Sequence, residues 1–249
     1  DRNSAVTRGY PADREIAIDQ GLRAHMIRVY NYMAGGVALT GAIAWITFQF
    51  SVVTNEAGAI VALTPLGQTL FQGPMLWVLI LAPLGLVFFL SFRINRLEAS
   101  TARALFFLYA GLLGVSLATI FMVYTHGSIA RVFFISAAAF GALSLWGYTT
   151  QRDLTGMGSF LIMGLFGLII ASVVNLFLKS SGLDWALSVM GVLIFAGLTA
   201  WDTQKIKEYY DPMDDGTVAG RKVVMGALAL YLDFINLFLM LLRLMGDRR

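Results

Sequence analysis

The chain has 249 residues, of which 58% are apolar and 13% are charged, and its mean hydropathy is +0.73. One soluble core of this length could not bury so much apolar surface, so the composition predicts a protein whose main solvent is lipid. The absence of cysteine excludes disulfides and thiol chemistry, and a net charge of +3 without a basic, aromatic-rich tract gives no support to nucleic acid binding.

The chain begins with a polar segment of mixed charge, residues 1–28, which has no signal-peptide core and is predicted to be a cytoplasmic tail. Residues 29–249 are predicted to form one transmembrane domain. It contains seven apolar segments, each long enough to cross about 30 Å of hydrocarbon as a helix. They lack the alternation of barrel strands, so the predicted fold class is an all-α seven-helix membrane bundle. The spans are placed near 29–50, 74–92, 104–124, 131–150, 160–178, 185–206 and 223–246.

The distribution of lysine and arginine predicts the orientation. Thirteen of these residues lie on the side of the N-terminus and five lie on the other side. The N-terminus is therefore expected in the cytoplasm and the C-terminus outside it. Small residues at helical spacing, Ala137 with Gly141 and Gly164 with Gly167, are expected to let helices approach closely.

Two acidic residues lie within predicted spans, Asp202 in the sixth and Asp233 in the seventh. An ionised Asp at the centre of a membrane helix costs about 2.5–3.5 kcal/mol, so each needs a partner, a proton or water. The two helices are consecutive and antiparallel, which places both residues in the cytoplasmic half. Asn236 and Arg243 follow Asp233 at helical spacing and extend a polar face.

Carboxyl groups in contact would share one proton and titrate as a pair, which makes a pH-responsive element physically reasonable. Deprotonated, they offer oxygen ligands to Ca²⁺, in a weak, water-filled site rather than a closed cage. The alternative is that each Asp only fixes helix packing through hydrogen bonds. Apart from transient Ca²⁺, no cofactor is expected.

Arginines lie where the second and third spans meet the cytoplasm, at the level of Asp202. One of them could form a latch with Asp202 that is made when the carboxylate is charged and weakened when it is protonated. Taken singly, each is more typical of a positive-inside anchor. The three are Arg93, Arg96 and Arg103.

Four blocks of the sequence resemble the Bax inhibitor-1 family, the transmembrane Bax inhibitor motif proteins, over about residues 25–246. They are "YAGLLGVSL" (Tyr109–Leu117), "LSLWGYTTQRDLTGMGSFL" (Leu143–Leu161), "WDTQKIK" (Trp201–Lys207) and, most specifically, "LALYLDFINLFLMLLRLMG" (Leu228–Gly246). The resemblance implies a bundle with the last helix at its centre, in the bacterial inner membrane, and a proton-sensitive Ca²⁺ leak.

The resemblance also implies roles for individual residues. Asp202 and Asp233 match the family's pH-sensing aspartate pair, although Trp201 stands where the family usually has Tyr. An alignment without gaps from the first block places the family's latch arginine at Arg96, with Arg93 as the alternative.

Two other functions stay open. Some bacterial relatives resemble modulators of the membrane-anchored ATP-dependent protease, and residues 1–28 could bind such a partner. An intramembrane aspartyl protease would also need two aspartates, but Asp233 follows Tyr-Leu rather than the Gly-x-Gly of those enzymes. The chain is therefore expected not to be an enzyme.

Overall fold

The computed structural model describes residues 11–56 and 59–249, and in the first helix it describes side chains from Gln20 onward. Seven of the described helices are long and apolar enough to cross a membrane, which confirms the predicted all-α membrane bundle. The helices are α1 (Pro11–Ser51), α2 (Pro65–Phe71), α3 (Met75–Arg93), α4 (Ala99–Leu117), α5 (Ile120–Val123), α6 (His126–Thr149), α7 (Thr155–Leu178), α8 (Ser181–Glu208) and α9 (Gly216–Met245). A 3₁₀ turn, Ile94–Arg96, links α3 to α4.

The helices α8 and α9 begin before the spans predicted from the apolar segments. The Ser180 hydroxyl accepts a hydrogen bond from the Leu183 N–H and caps α8, and the Asp215 carboxylate accepts two from the first turn of α9. Such caps satisfy N–H groups that have no partner inside the helix. Each helix therefore includes a polar first turn that hydropathy does not mark.

The first helix runs without a break from Pro11 to Ser51, across the boundary predicted between residues 28 and 29. Met26, Val29 and Met33 are buried on one of its faces. From Pro11 onward the polar segment and the first span are thus a single helix. Residues 1–10, the start of the predicted tail, lie outside the described residues.

The connection after α1 contains secondary structure that hydropathy did not indicate. Strands β1 (Val52–Thr54) and β2 (Ile60–Leu63) pair antiparallel, and α2 follows with Thr64 as its N-cap. We call this end of the bundle the hairpin end. The opposite end carries the α3–α4, α6–α7 and α8–α9 connections, and we call it the basic end.

The last helix, α9, lies at the centre of the bundle, as the resemblance to the Bax inhibitor-1 family implied. In its most apolar stretch 67% of the residues are buried, against 6% in α7. It packs against α1, α4, α6 and α8. A side chain on almost any face of α9 therefore meets protein rather than lipid, which is where an intramembrane carboxylate can be accommodated.

Close helix contacts occur at one of the expected glycines, Gly164, which packs against Ile194 of α8, and at glycines that were not expected. A Cβ on Gly147 of α6 would lie 2.2 Å from the Ala200 carbonyl oxygen of α8, and one on Gly158 of α7 would lie 2.2 Å from the Trp201 ring. Gly141 and Gly167 face open space within the described residues, so the expectation for these two was wrong. Spacing alone did not show which face of the helix is packed.

We expect Gly147→Ala to destabilise the protein, because the new methyl group would collide with the backbone of α8 rather than with a movable side chain. The expected loss in the free energy of unfolding is about 1–3 kcal/mol. Unfolding in mixed detergent micelles with increasing SDS would measure it. Gly141→Ala is the matched control on the same helix, and equal stability of the two variants would contradict the close α6–α8 contact.

Candidate intramembrane carboxylate site

Asp202 of α8 and Asp233 of α9 lie close enough for their carboxyl groups to interact, and both line one cavity between these helices. Asp202 is half-buried, whereas Asp233 is only 5% exposed. Its Oδ2 has no hydrogen-bond partner among the residues that the structure describes. Two charges in contact here would repel each other in an apolar interior, so the geometry favours a single proton held between the two carboxyl groups.

Two cavities meet at this pair. The first, which we call the basic cavity, measures about 370 Å³ and opens at the basic end between α1, the 3₁₀ turn, α8 and α9. The second, the intramembrane cavity, measures about 630 Å³ and lies between α7, α8 and α9. Asp202 and Ala229 line both cavities, and Asp233 lines the second.

Together the cavities follow α9 from Val218 to Met240. At a rise of 1.5 Å per residue this distance is about 33 Å, close to the thickness of the hydrocarbon layer, about 30 Å. The carboxyl pair therefore lies where the two cavities adjoin, partway along this distance.

The predicted polar face of α9 is divided between two places. Asn236 shares the intramembrane cavity with Asp233, and its side-chain amide donates to the Leu232 carbonyl oxygen of its own helix at 2.8 Å. Arg243 lies at the hairpin end, where its guanidinium is 3.8 Å from the Asp184 carboxylate of α8. Only Asn236 is thus placed to contribute to the carboxylate site.

Neither candidate for the latch contacts Asp202. Arg93 and Arg96 are exposed and form no ion pair or side-chain hydrogen bond with the described part of the chain. Ile94 and Asn95, between them, line the basic cavity. Arg93 and Arg96 therefore directly flank two residues that line the same cavity as Asp202.

Arg221 of α9 holds the connection between α3 and α4. Its Nε donates to the Leu97 carbonyl oxygen, and its Nη1 donates to that of Asn95 at 2.9 Å. From the sequence, Arg221 was counted only among the positive charges expected on the cytoplasmic side. In the structure it fixes the segment that carries Arg96.

Gln204, two residues after Asp202, was also missed. Its amide oxygen accepts from the Leu154 N–H and its amide nitrogen donates to the Arg152 carbonyl oxygen, both at 2.8 Å. One side chain thus ties the α6–α7 connection to α8. The "WDTQKIK" block contained a signal for this contact, since both the oxygen and the nitrogen of an amide buried in a membrane helix need hydrogen-bond partners.

A chain of hydroxyl groups fixes α8 at the same level. The Tyr30 hydroxyl of α1 lies 2.6 Å from Ser144 Oγ of α6, which lies 2.8 Å from Thr203 Oγ1 of α8. Thr203 directly follows Asp202. Three helices are therefore linked by hydrogen bonds beside the carboxyl pair.

His25 of α1 is a further residue that the sequence did not single out. It is buried, at 6% exposure, and it lines the basic cavity with Asp202. Extending the apolar face of Met26, Val29 and Met33 backwards along α1 would have placed it inside the bundle. It was instead assigned to the tail because its neighbours in sequence are charged.

The pair has no third ligand of the kinds that commonly hold metals. Within the described residues no group of three or more His, Asp or Glu side chains is placed to hold a metal ion. Two carboxyl groups and Asn236 would bind a cation with much of its water retained.

The sequence matches the family model described as "Inhibitor of apoptosis-promoting Bax1" over residues 22–249. A protein of Rickettsia prowazekii is 48% identical over 231 residues, which is 93% of this chain and 92% of that one. The inner membrane protein YbhL of Escherichia coli is 46% identical, covering 92% of this chain and 94% of its own length. A protein of Caulobacter vibrioides is 43% identical over 100% of this chain and 99% of its own.

We expect Asp233→Asn to stabilise the protein at pH 8. Asn carries no charge, and its amide can donate to the Asp202 carboxylate, which removes the unpartnered buried oxygen. The free energy of unfolding should rise by about 1–3 kcal/mol, measured by SDS-driven unfolding in micelles. Asp184→Asn, which removes a partly exposed acid and its surface ion pair with Arg243, is the control and should change stability by less than about 1 kcal/mol. A loss of stability in Asp233→Asn would instead identify Asp233 as a satisfied packing residue.

Proposed function

The chain belongs to the Bax inhibitor family, and we propose that it is a pH-sensitive Ca²⁺ leak whose gate is the pair Asp202 and Asp233. The observation that carries the proposal is the position of this pair, at the junction of two cavities that together follow α9 for about 33 Å. A pair that only fixed helix packing would not require a cavity on each side. The proposal assigns no catalytic residue and no enzyme activity.

The proposed location is the inner membrane of a bacterium, with the basic end in the cytoplasm. The name of the Escherichia coli relative, inner membrane protein YbhL, supports the location. The excess of lysine and arginine at the basic end supports the orientation. The basic cavity then opens to the cytoplasm and the intramembrane cavity extends toward the periplasm.

The gate works through the charge of the pair. With one proton shared, the pair carries a single negative charge that attracts a hydrated cation to the junction of the cavities. When the second proton leaves, the two carboxylates repel each other, and the doubled charge attracts a guanidinium. We assign this latch to Arg96, which directly follows Asn95 in the wall of the cavity that Asp202 also lines. Acidification releases the latch and alkalinisation restores it.

Ca²⁺ flux into liposomes that contain the purified protein is therefore expected to fall between pH 6 and pH 8. Asp202→Asn should abolish this dependence, because an amide cannot lose a proton to engage the latch. Asp233→Asn should do the same, because the pair can no longer acquire its second charge. In either variant, the change of flux with pH should be less than about a tenth of the wild-type change, because the coupled titration of the pair is the only proposed pH sensor.

Asp184→Asn, at the hairpin end, should leave the profile unchanged and controls for removal of an acid. Absence of flux in a folded wild-type protein would overturn the leak. A flux that keeps its pH dependence in both variants would place the sensor elsewhere and leave the pair with a packing role.

Arg96→Gln should raise the flux at pH 8 while leaving it nearly unchanged at pH 6, because the latch is made only when the pair carries its second negative charge. The flux of Arg96→Gln at pH 8 should approach the flux of the wild type at pH 6, and the same liposome assay measures both. Arg93→Gln is the matched control, one turn away and equally exposed. If Arg93→Gln gave the rise instead, the latch would be Arg93, and if neither did, no latch from this turn would exist.

A further inference from the structure

The basic cavity is lined by more positively charged side chains than negatively charged ones. Lys205, Arg221 and Lys222 line it, and Asp202 is the acid among its lining residues. Lys222 pairs with the Asp214 carboxylate, so one of the three charges is neutralised. The other two form no ion pair with any residue in the described part of the chain.

The two unneutralised cations are held in place by neutral groups. Lys205 Nζ lies 4.7 Å from the centre of the Trp201 ring and 5.7 Å from that of Tyr209. Arg221 donates to two backbone carbonyl groups. Aromatic faces and carbonyl dipoles position a cation without removing its charge, so both side chains stay available to an anion.

His25 supplies an independent observation that points to a ligand site. Its Nε2 is buried and has no hydrogen-bond partner among the described residues. The Tyr210 ring covers it from the α8–α9 connection, with ring centres 5.6 Å apart, and Tyr210 also packs against Gly21. A buried ring nitrogen without a partner costs free energy, and an oxygen of a ligand in the cavity would satisfy it.

The remaining lining is largely apolar, with Ile94, Ile206, Val218 and Met225 among its members. A volume of about 370 Å³ accommodates a small ligand. The cavity lies at the level of the interhelical connections, where the headgroups of a bilayer lie. A ligand with an anionic head, with or without an apolar chain, therefore matches both the charge and the position of the cavity.

We propose that the basic cavity binds a phosphate group, carried either by free inorganic phosphate or by the headgroup of an anionic phospholipid. Lys205, Arg221 and His25 would hold its oxygen atoms, as charge-assisted hydrogen bonds to phosphate commonly do. The site does not depend on ion conduction. One consequence does rest on the proposed leak: a bound phosphate would neutralise the cations beside Asp202 and ease the approach of Ca²⁺ to the pair.

The test uses the full-length protein in nanodiscs of phosphatidylcholine alone, titrated with inorganic phosphate by calorimetry. A second arm uses native mass spectrometry in detergent to compare binding of phosphatidylglycerol and phosphatidylcholine. Both arms compare the wild type with Lys205→Gln/Arg221→Gln. The control is Lys179→Gln/Arg248→Gln, which removes the same charge at the hairpin end. Lys205→Arg/Arg221→Lys keeps the charge in place and checks that a loss is not a failure to fold.

The glutamine pair in the cavity should weaken binding at least about tenfold, equivalent to about 1.4 kcal/mol, while the control and the charge-conserving pair bind as the wild type does. Calorimetric binding of phosphate identifies the free anion as a ligand, and a preference for phosphatidylglycerol identifies the lipid. Equal binding by all four proteins, or binding of neither probe, would overturn the site. Since both arms measure binding and not flux, a failure here is distinguishable from a failure of the leak.

Discussion

The burial of a carboxyl group in the central helix of a membrane bundle is the constraint on which the rest of this structure depends. Asp233 has apolar neighbours along α9, and lipid offers an ionised carboxylate no solvation. The nearest group that can share its proton is Asp202 on α8. The position of α8 against α9 therefore decides whether Asp233 can be accommodated at all.

The contacts around α8 keep it in that position. Thr203 joins it to α6 and α1 through hydroxyl groups, and Gln204 ties it to the α6–α7 connection. Gly147 lets the backbone of α8 lie against α6 without a side chain between them. These three residues fix α8 against α1, α6 and the α6–α7 connection, and together they leave α8 little freedom to slide along α9.

The sequence was sufficient to predict the bundle and the pair, because both follow from long-range regularities. Apolar segments of membrane length identify helices, and an acid inside such a segment is conspicuous. Consecutive antiparallel spans then place Asp202 and Asp233 at similar depth. The central position of α9 followed only from the resemblance to the Bax inhibitor-1 family, since composition does not distinguish a central apolar helix from a peripheral one.

The features that the sequence did not predict depend on which face of a helix is covered. His25 lies among charged neighbours in sequence, and only the packing of Tyr210 on α1 places it inside the bundle. Gly141 and Gly147 lie on the same helix, yet one faces open space and the other a backbone. The cavities are spaces left between three or more helices, so no single segment contains a signal for them.

The two carboxyl groups of the pair have unequal surroundings, which bears on how such a gate can work. Asp202 lines the basic cavity beside Lys205, whereas Asp233 is enclosed by apolar side chains. A single negative charge on the pair is therefore better stabilised on Asp202, with the proton on Asp233. In the proposed gate, the charged partner is the one that a cation, the latch arginine or a phosphate in the basic cavity would influence, and the buried partner is the one that stores the proton. A symmetric pair would respond to protons alone, whereas the proposed gate would also respond to whatever occupies the basic cavity.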